Sequence, residues 1–97
     1  MKKKNKQEKP KWFKGLWYDT GGTVRNPFSG EEYELTGAEL SMYNFIKGAE
    51  YTINVSLERS GDFYVEDPTM VKLQKEMIKG LDWFRSENSK AYMVLLD

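Results

Sequence analysis

Thr36-Gly37-Ala38-Glu39-Leu40-Ser41-Met42-Tyr43-Asn44-Phe45-Ile46-Lys47-Gly48-Ala49 opens the stretch whose reading decides the fold, and it continues through Glu50-Tyr51-Thr52-Ile53-Asn54-Val55-Ser56-Leu57. Thr36 and Glu39 have capping-box spacing, with a hydroxyl to accept from the Glu39 N–H and a carboxylate to reach back. A helix is predicted to start there. Met42, Ile46, Ala49, Ile53 and Leu57 then recur at three- and four-residue spacing beside Phe45, while Ser41, Lys47, Asn54 and Glu58 fall elsewhere. A strand reading competes, because Tyr51, Ile53, Val55 and Leu57 also alternate, and a turn at residues 59–62 would lead into Phe63-Tyr64-Val65. The helix is preferred because its periodicity spans sixteen residues against seven. Gly48 is its weak point, and the state of residues 51–57 stays the open question.

Toward the C-terminus, residues 60–66 read as a loop, and Asp67-Pro68 offers a capping carboxylate followed by proline at the first helical position. Met70, Leu73, Met77, Leu81 and Phe84 form the apolar stripe of the helix that follows, opposite Lys72, Lys75, Glu76, Lys79 and Asp82. That stripe is expected to be core. Asn88 or Ser89 then caps a short, almost wholly apolar helix through Ala91 to Leu96. A helix so short is marginal in water alone. It is expected to dock into the groove of the longer pair or across a subunit boundary.

Toward the N-terminus, Glu31-Glu32-Tyr33-Glu34-Leu35 alternates, Thr23-Val24-Arg25 is a short extended piece, and Pro27-Phe28-Ser29-Gly30 turns between them. The region 23–35 is read as a β-hairpin, which needs the helices or another copy to be stable. The fold class is thus α+β and mainly helical: an N-terminal β-hairpin, two longer amphipathic helices and a short C-terminal helix. Residues 1–11 form an expected disordered basic tail, with nothing to bury, and residues 12–97 one small domain. Trp12, Phe13, Trp17 and Tyr18 put four aromatics into seven residues, a cluster that must be anchored on the core or on a partner.

Composition narrows the function. With 39% apolar and 31% charged residues the chain is too hydrophobic for disorder throughout. It has no His and no Cys, which removes the side chain best suited to proton transfer near neutral pH and the most nucleophilic one. No catalytic residue, metal site or cofactor is expected. Asp19-Thr20-Gly21 echoes the aspartic-protease triplet, but that chemistry needs paired aspartates in a nearly all-β fold, and a polar turn is the better reading. Glu31, Glu32 and Glu34, and the pair Glu66-Asp67, lack cation-loop spacing and read as solvated surface. No apolar run approaches the roughly 20 residues of a membrane span. The expectation is an intracellular protein with no membrane partner.

The zero net charge conceals a polarity. Lys2, Lys3, Lys4, Lys6, Lys9, Lys11 and Lys14 face Glu8 alone, so residues 1–15 carry +6 and the remainder −6. Lysines beside Trp12, Phe13 and Trp17 could hold phosphates and stack bases, which makes nucleic-acid binding through Lys2, Lys3, Lys4, Lys6, Lys9 and Lys11 the alternative reading. The leading one is a self-associating protein-interaction module. Fourteen aromatics and five methionines are hard to hide in one small core, so some should lie at an interface, in a dimer or tetramer. Trp12, Phe13, Trp17, Tyr18 and Trp83 are the contact candidates, Trp83 because it falls about 100° from the centre of its helix's stripe.

Asn26-Pro27-Phe28-Ser29-Gly30-Glu31, Tyr43-Asn44-Phe45-Ile46-Lys47-Gly48-Ala49-Glu50, Gly80-Leu81-Asp82-Trp83-Phe84-Arg85 and the ending Ala91-Tyr92-Met93-Val94-Leu95-Leu96-Asp97 carry a resemblance. Over most of residues 23–97 the chain resembles small uncharacterised proteins of marine T4-like phages, especially cyanophages. The resemblance brings no functional residues. What it implies is context: an accessory protein in the cytoplasm of an infected bacterial host, with a host protein as an expected partner besides another copy.

Overall fold

Glu39 Oε1 accepts from the Thr36 N–H at 3.0 Å while Thr36 Oγ1 accepts from the Glu39 N–H at 3.1 Å, so the reciprocal cap forms as read. The computed structural model, which describes residues 7–60 and 68–96, runs β1 (Gly22–Arg25), β2 (Glu32–Leu35), α1 (Gly37–Ser60), α2 (Pro68–Glu87) and α3 (Ser89–Leu95). This is the α+β, mainly helical architecture expected. Residues 51–57 are helical, part of a single 24-residue α1. Helical periodicity wins over local alternation because the cap and the apolar face belong to one continuous repeat. Of the loop expected over residues 60–66, Ser60 is instead the last residue of α1; the remainder of that loop, the alternative strand 63–65 and the Asp67 cap lie outside the described residues.

β1 and β2 pair antiparallel in the register Gly22 with Leu35, Thr23 with Glu34, Val24 with Tyr33 and Arg25 with Glu32. Alternation turns Leu35 into the core and leaves Glu32 and Glu34 in solvent. The ribbon lies against the protein's own helices: β2 meets both α1 and α3. Ala38, Met42, Ile46, Ala49 and Ile53 are the buried face of α1. α2 crosses it at Gly80, where an added Cβ would stand 3.1 Å from Met42 Sδ and 3.3 Å from Ile46 Cγ1. The missing side chain lets the two helices approach.

The stripe of α2 is fully buried only toward its C-terminal end, at Gly80 and Phe84, whereas Met70, Leu73, Met77 and Leu81 are half-buried. Asn88 Oδ1 accepts from the Ala91 N–H at 3.1 Å and so caps α3, as its position suggested. α3 docks against α2 and β2, with Ala91 and Leu95 entering the core, and so fills the space beside the hairpin.

Residues 7–21 have neither helix nor strand, yet they are tied down by rings. Phe13 is 3% exposed, with its ring centroid 5.1 Å from Trp17 and 5.4 Å from Phe45. The Tyr18 N–H donates to Ser41 Oγ at 2.7 Å, and Ser41 Oγ donates in turn to the Gly37 carbonyl. Here backbone runs on backbone. A Cβ on Gly21 would strike the Leu35 carbonyl, and one on Gly37 would strike the Tyr18 carbonyl.

Candidate functional site

Among the described residues, two surface clefts gather groups able to meet another molecule. The first is a cleft of about 660 Å³ whose lining includes Asp19, Glu34, Glu39 and Asn88. It brings the Asp-Thr-Gly triplet beside a buried carboxylate, the arrangement an aspartate-based enzyme would require. The buried carboxylate is already engaged. Besides the Thr36 N–H, Glu39 accepts through Oε2 from Gln7 Nε2 at 2.9 Å and from Asn88 Nδ2 at 3.2 Å. Thr36 Oγ1 completes the ring by donating to Gln7 Oε1 at 2.7 Å. A buried anion held by three donors is stabilised in place, and here it joins the N-terminal segment, the start of α1 and the start of α3. Asp19 and Glu34 themselves are exposed. The mainly helical frame supplies no all-β scaffold for a protease dyad.

The second place is the hairpin loop and the groove beside it. Asn26 organises that loop. Its N–H donates to the Glu31 carbonyl at 2.8 Å, its carbonyl accepts from the Gly30 N–H at 2.8 Å, and its Oδ1 accepts from the N–H groups of Phe28 and Ser29. Gly30 has φ +81°, a left-handed conformation that glycine adopts without strain. Asn26 Nδ2 then donates 2.8 Å to the Val94 carbonyl, which pins the loop to α3. On this braced loop Phe28 is 95% exposed. It borders a groove of about 290 Å³ whose walls include Met77, Leu81, Tyr92 and Leu96, with Lys47 and Glu50 at the α1 side.

The residues singled out in the sequence divide differently. Phe13 lies in the protein's own core, and Trp12, Trp17, Tyr18 and Trp83 are half-buried. Trp83, set off the α2 stripe and read as a contact candidate, packs edge-on against Trp17 at a centroid distance of 5.8 Å. Helical geometry placed the side chain correctly but could not know that residues 12–17 would cross that flank. The rings read as base-stacking candidates therefore pack on one another and on Phe45. Lys9 and Lys11 are exposed. Lys2, Lys3, Lys4 and Lys6 lie outside the described residues. Lys79 sits over the Trp12 ring at 5.9 Å.

Phe28 was read only as part of a turn. Its sequence signal was an aromatic set between Pro27 and Ser29-Gly30, where no strand or helix could carry it inward. Among the described residues no group of three or more His, Cys, Asp or Glu side chains could hold a metal ion, and no helix is long and apolar enough to cross a membrane.

No family model, curated protein or solved structure matches this chain.

Proposed function

We propose that this protein is a small phage accessory protein that works as a protein-interaction module in the cytoplasm of the infected bacterium, and that its contact surface is the hairpin loop with the groove beside it. The observation that carries the reading is the bare Phe28 ring on a loop that cannot fold it back. Burying a phenylalanine is worth about 1.5–3 kcal/mol, so a braced loop that withholds this one from its own core leaves that gain for a partner. Another copy and a host protein are the partners of this reading. It describes a binding protein and no enzyme, because the buried carboxylate of the polar cleft already serves as a brace.

A photo-activated cross-linking residue at position 28 tests the reading in cells producing the protein, with the exposed Glu87 position as control. Discrete protein adducts are expected at 28 and not at 87. Equal labelling at both would end it.

A further inference from the structure

We infer that the outer face of α2, with the turn at residues 10–13 laid beside it, is a docking surface for the phosphate backbone of a nucleic-acid duplex. The inference stands apart from the Phe28 face and does not depend on it.

Lys72, Lys75 and Lys79 follow one another at three- and four-residue spacing, which at about 100° per residue keeps them within about 60° of the helix circumference. All three are exposed. Met77 and Leu81, which line the groove beside the hairpin loop, lie about 160° round from Lys79, so the row faces away from that groove. The N-terminal segment extends it. Lys79 Nζ stands 5.9 Å from the centroid of the Trp12 ring, and the Phe13 N–H donates to the Pro10 carbonyl at 3.0 Å to close the turn that carries Trp12. Lys11 and Lys14, both exposed, flank Trp12 and Phe13 in sequence. Two distant stretches of chain thus bring five lysines to one side of α2.

These charges are uncommitted. Among the described residues, the ion pairs join Lys47 to Glu50 and Arg85 to Asp82, and none of the five lysines takes part. Residues 16–97 carry −6, and Glu31, Glu32 and Glu34 belong to a hairpin whose β2 packs against α1 and α3. The lysine row runs against that balance. Between Lys72 and Lys79 the same sector of α2 holds one carboxylate, the half-buried Glu76.

The chemistry of the patch selects its partner. From Lys72 to Lys79 the helix rises about 10.5 Å, the span of about three steps of one duplex strand at about 3.4 Å each. Lysine offers phosphate a point charge and reads no base. A single strand would also call for rings on which its unpaired bases stack, and Trp12, Phe13 and Trp17 are spent on one another and on Phe45. A lipid surface would call for exposed apolar side chains among the cations, and between Lys72 and Lys79 this sector has none. A duplex, whose bases are already stacked, asks for charge alone.

Fluorescence anisotropy of a labelled mixed-sequence duplex, titrated with the full chain at about 50 to 200 mM salt, tests the surface. Binding is expected, with log K falling against log salt at a slope of about −3.5 or steeper, as for four or more phosphate contacts. Lys72→Gln, Lys75→Gln and Lys79→Gln combined should flatten the slope by about 3 and weaken binding at least about 10-fold at the lowest salt. Arg25→Gln, Lys47→Gln and Lys90→Gln combined remove the same charge from exposed positions elsewhere, and should leave affinity within about 3-fold of the wild type. Phe28→Ser should bind as the wild type does. Absence of binding at the lowest salt overturns the inference, and so does an equal loss in the two triple variants. A preference for a single strand of the same sequence, for vesicles containing phosphatidylserine or for polyglutamate over the duplex overturns it as well.

Discussion

Asn88 Nδ2 donates to Glu39 Oε2 at 3.2 Å, across 49 residues of chain, and thereby joins the cap of α3 to the cap of α1. Each side chain does two tasks: Glu39 closes its own capping box, and Asn88 accepts from the Ala91 N–H. The two helix starts are in consequence one structural unit.

Asn88→Asp separates these tasks. It keeps a capping oxygen but sets a second carboxylate against a 4%-exposed Glu39. Stability should fall by about 1–3 kcal/mol, the cost of a lost buried donor. Glu39→Gln in the same chain should recover part of it, since the new amide can donate to Asp at position 88. Urea unfolding of the four proteins of this cycle measures the coupling.

Gly48 is exposed, and an added Cβ there meets nothing within 4 Å. Gly48→Ala should stabilise α1 by about 0.5–1 kcal/mol, through backbone entropy alone. Thermal unfolding followed by circular dichroism should show a Tm higher by about 4–8 °C per kcal/mol.

Gly80 predicts the opposite sign. Its Cβ position is crowded by Met42 and Ile46 across the helix crossing. Gly80→Val should cost about 1–3 kcal/mol by overpacking, read from the urea midpoint at an unchanged slope.

Phe13 and Leu16 lie three residues apart and should behave very differently. Phe13→Ala removes a 3%-exposed ring that walls Trp12 and Trp17, so it should cost about 3–5 kcal/mol and shift tryptophan emission to the red. Leu16→Ser, at 75% exposure, should change stability by no more than about 0.5 kcal/mol.

What could be read from the chain was what local chemistry determines. The Thr36 and Glu39 cap, the face of α1 from Met42 to Ile53, the alternation through Tyr33 and Leu35 and the Asn88 cap each follow from spacing within a few residues. What escaped depends on distant partners. Trp83 packs against a segment some 65 residues earlier, and Gln7, placed in a basic tail, reaches Thr36 and Glu39 because both offer polar groups that its amide satisfies. The candidate site was hidden for the same reason: the bond from Asn26 to Val94 spans 68 residues, and without it Phe28 is simply an aromatic in a turn.

Gly21 and Gly37 notch into each other's neighbouring strands of backbone, the first beneath Leu35 and the second beneath Tyr18. No side chain of any size can take either place while that crossing persists. Relatives too diverged to share the aromatic cluster or the lysines would still have to keep two glycines, sixteen positions apart and straddling the ribbon. This spacing is a signature by which remote kin of the fold could be recognised after ordinary likeness has eroded.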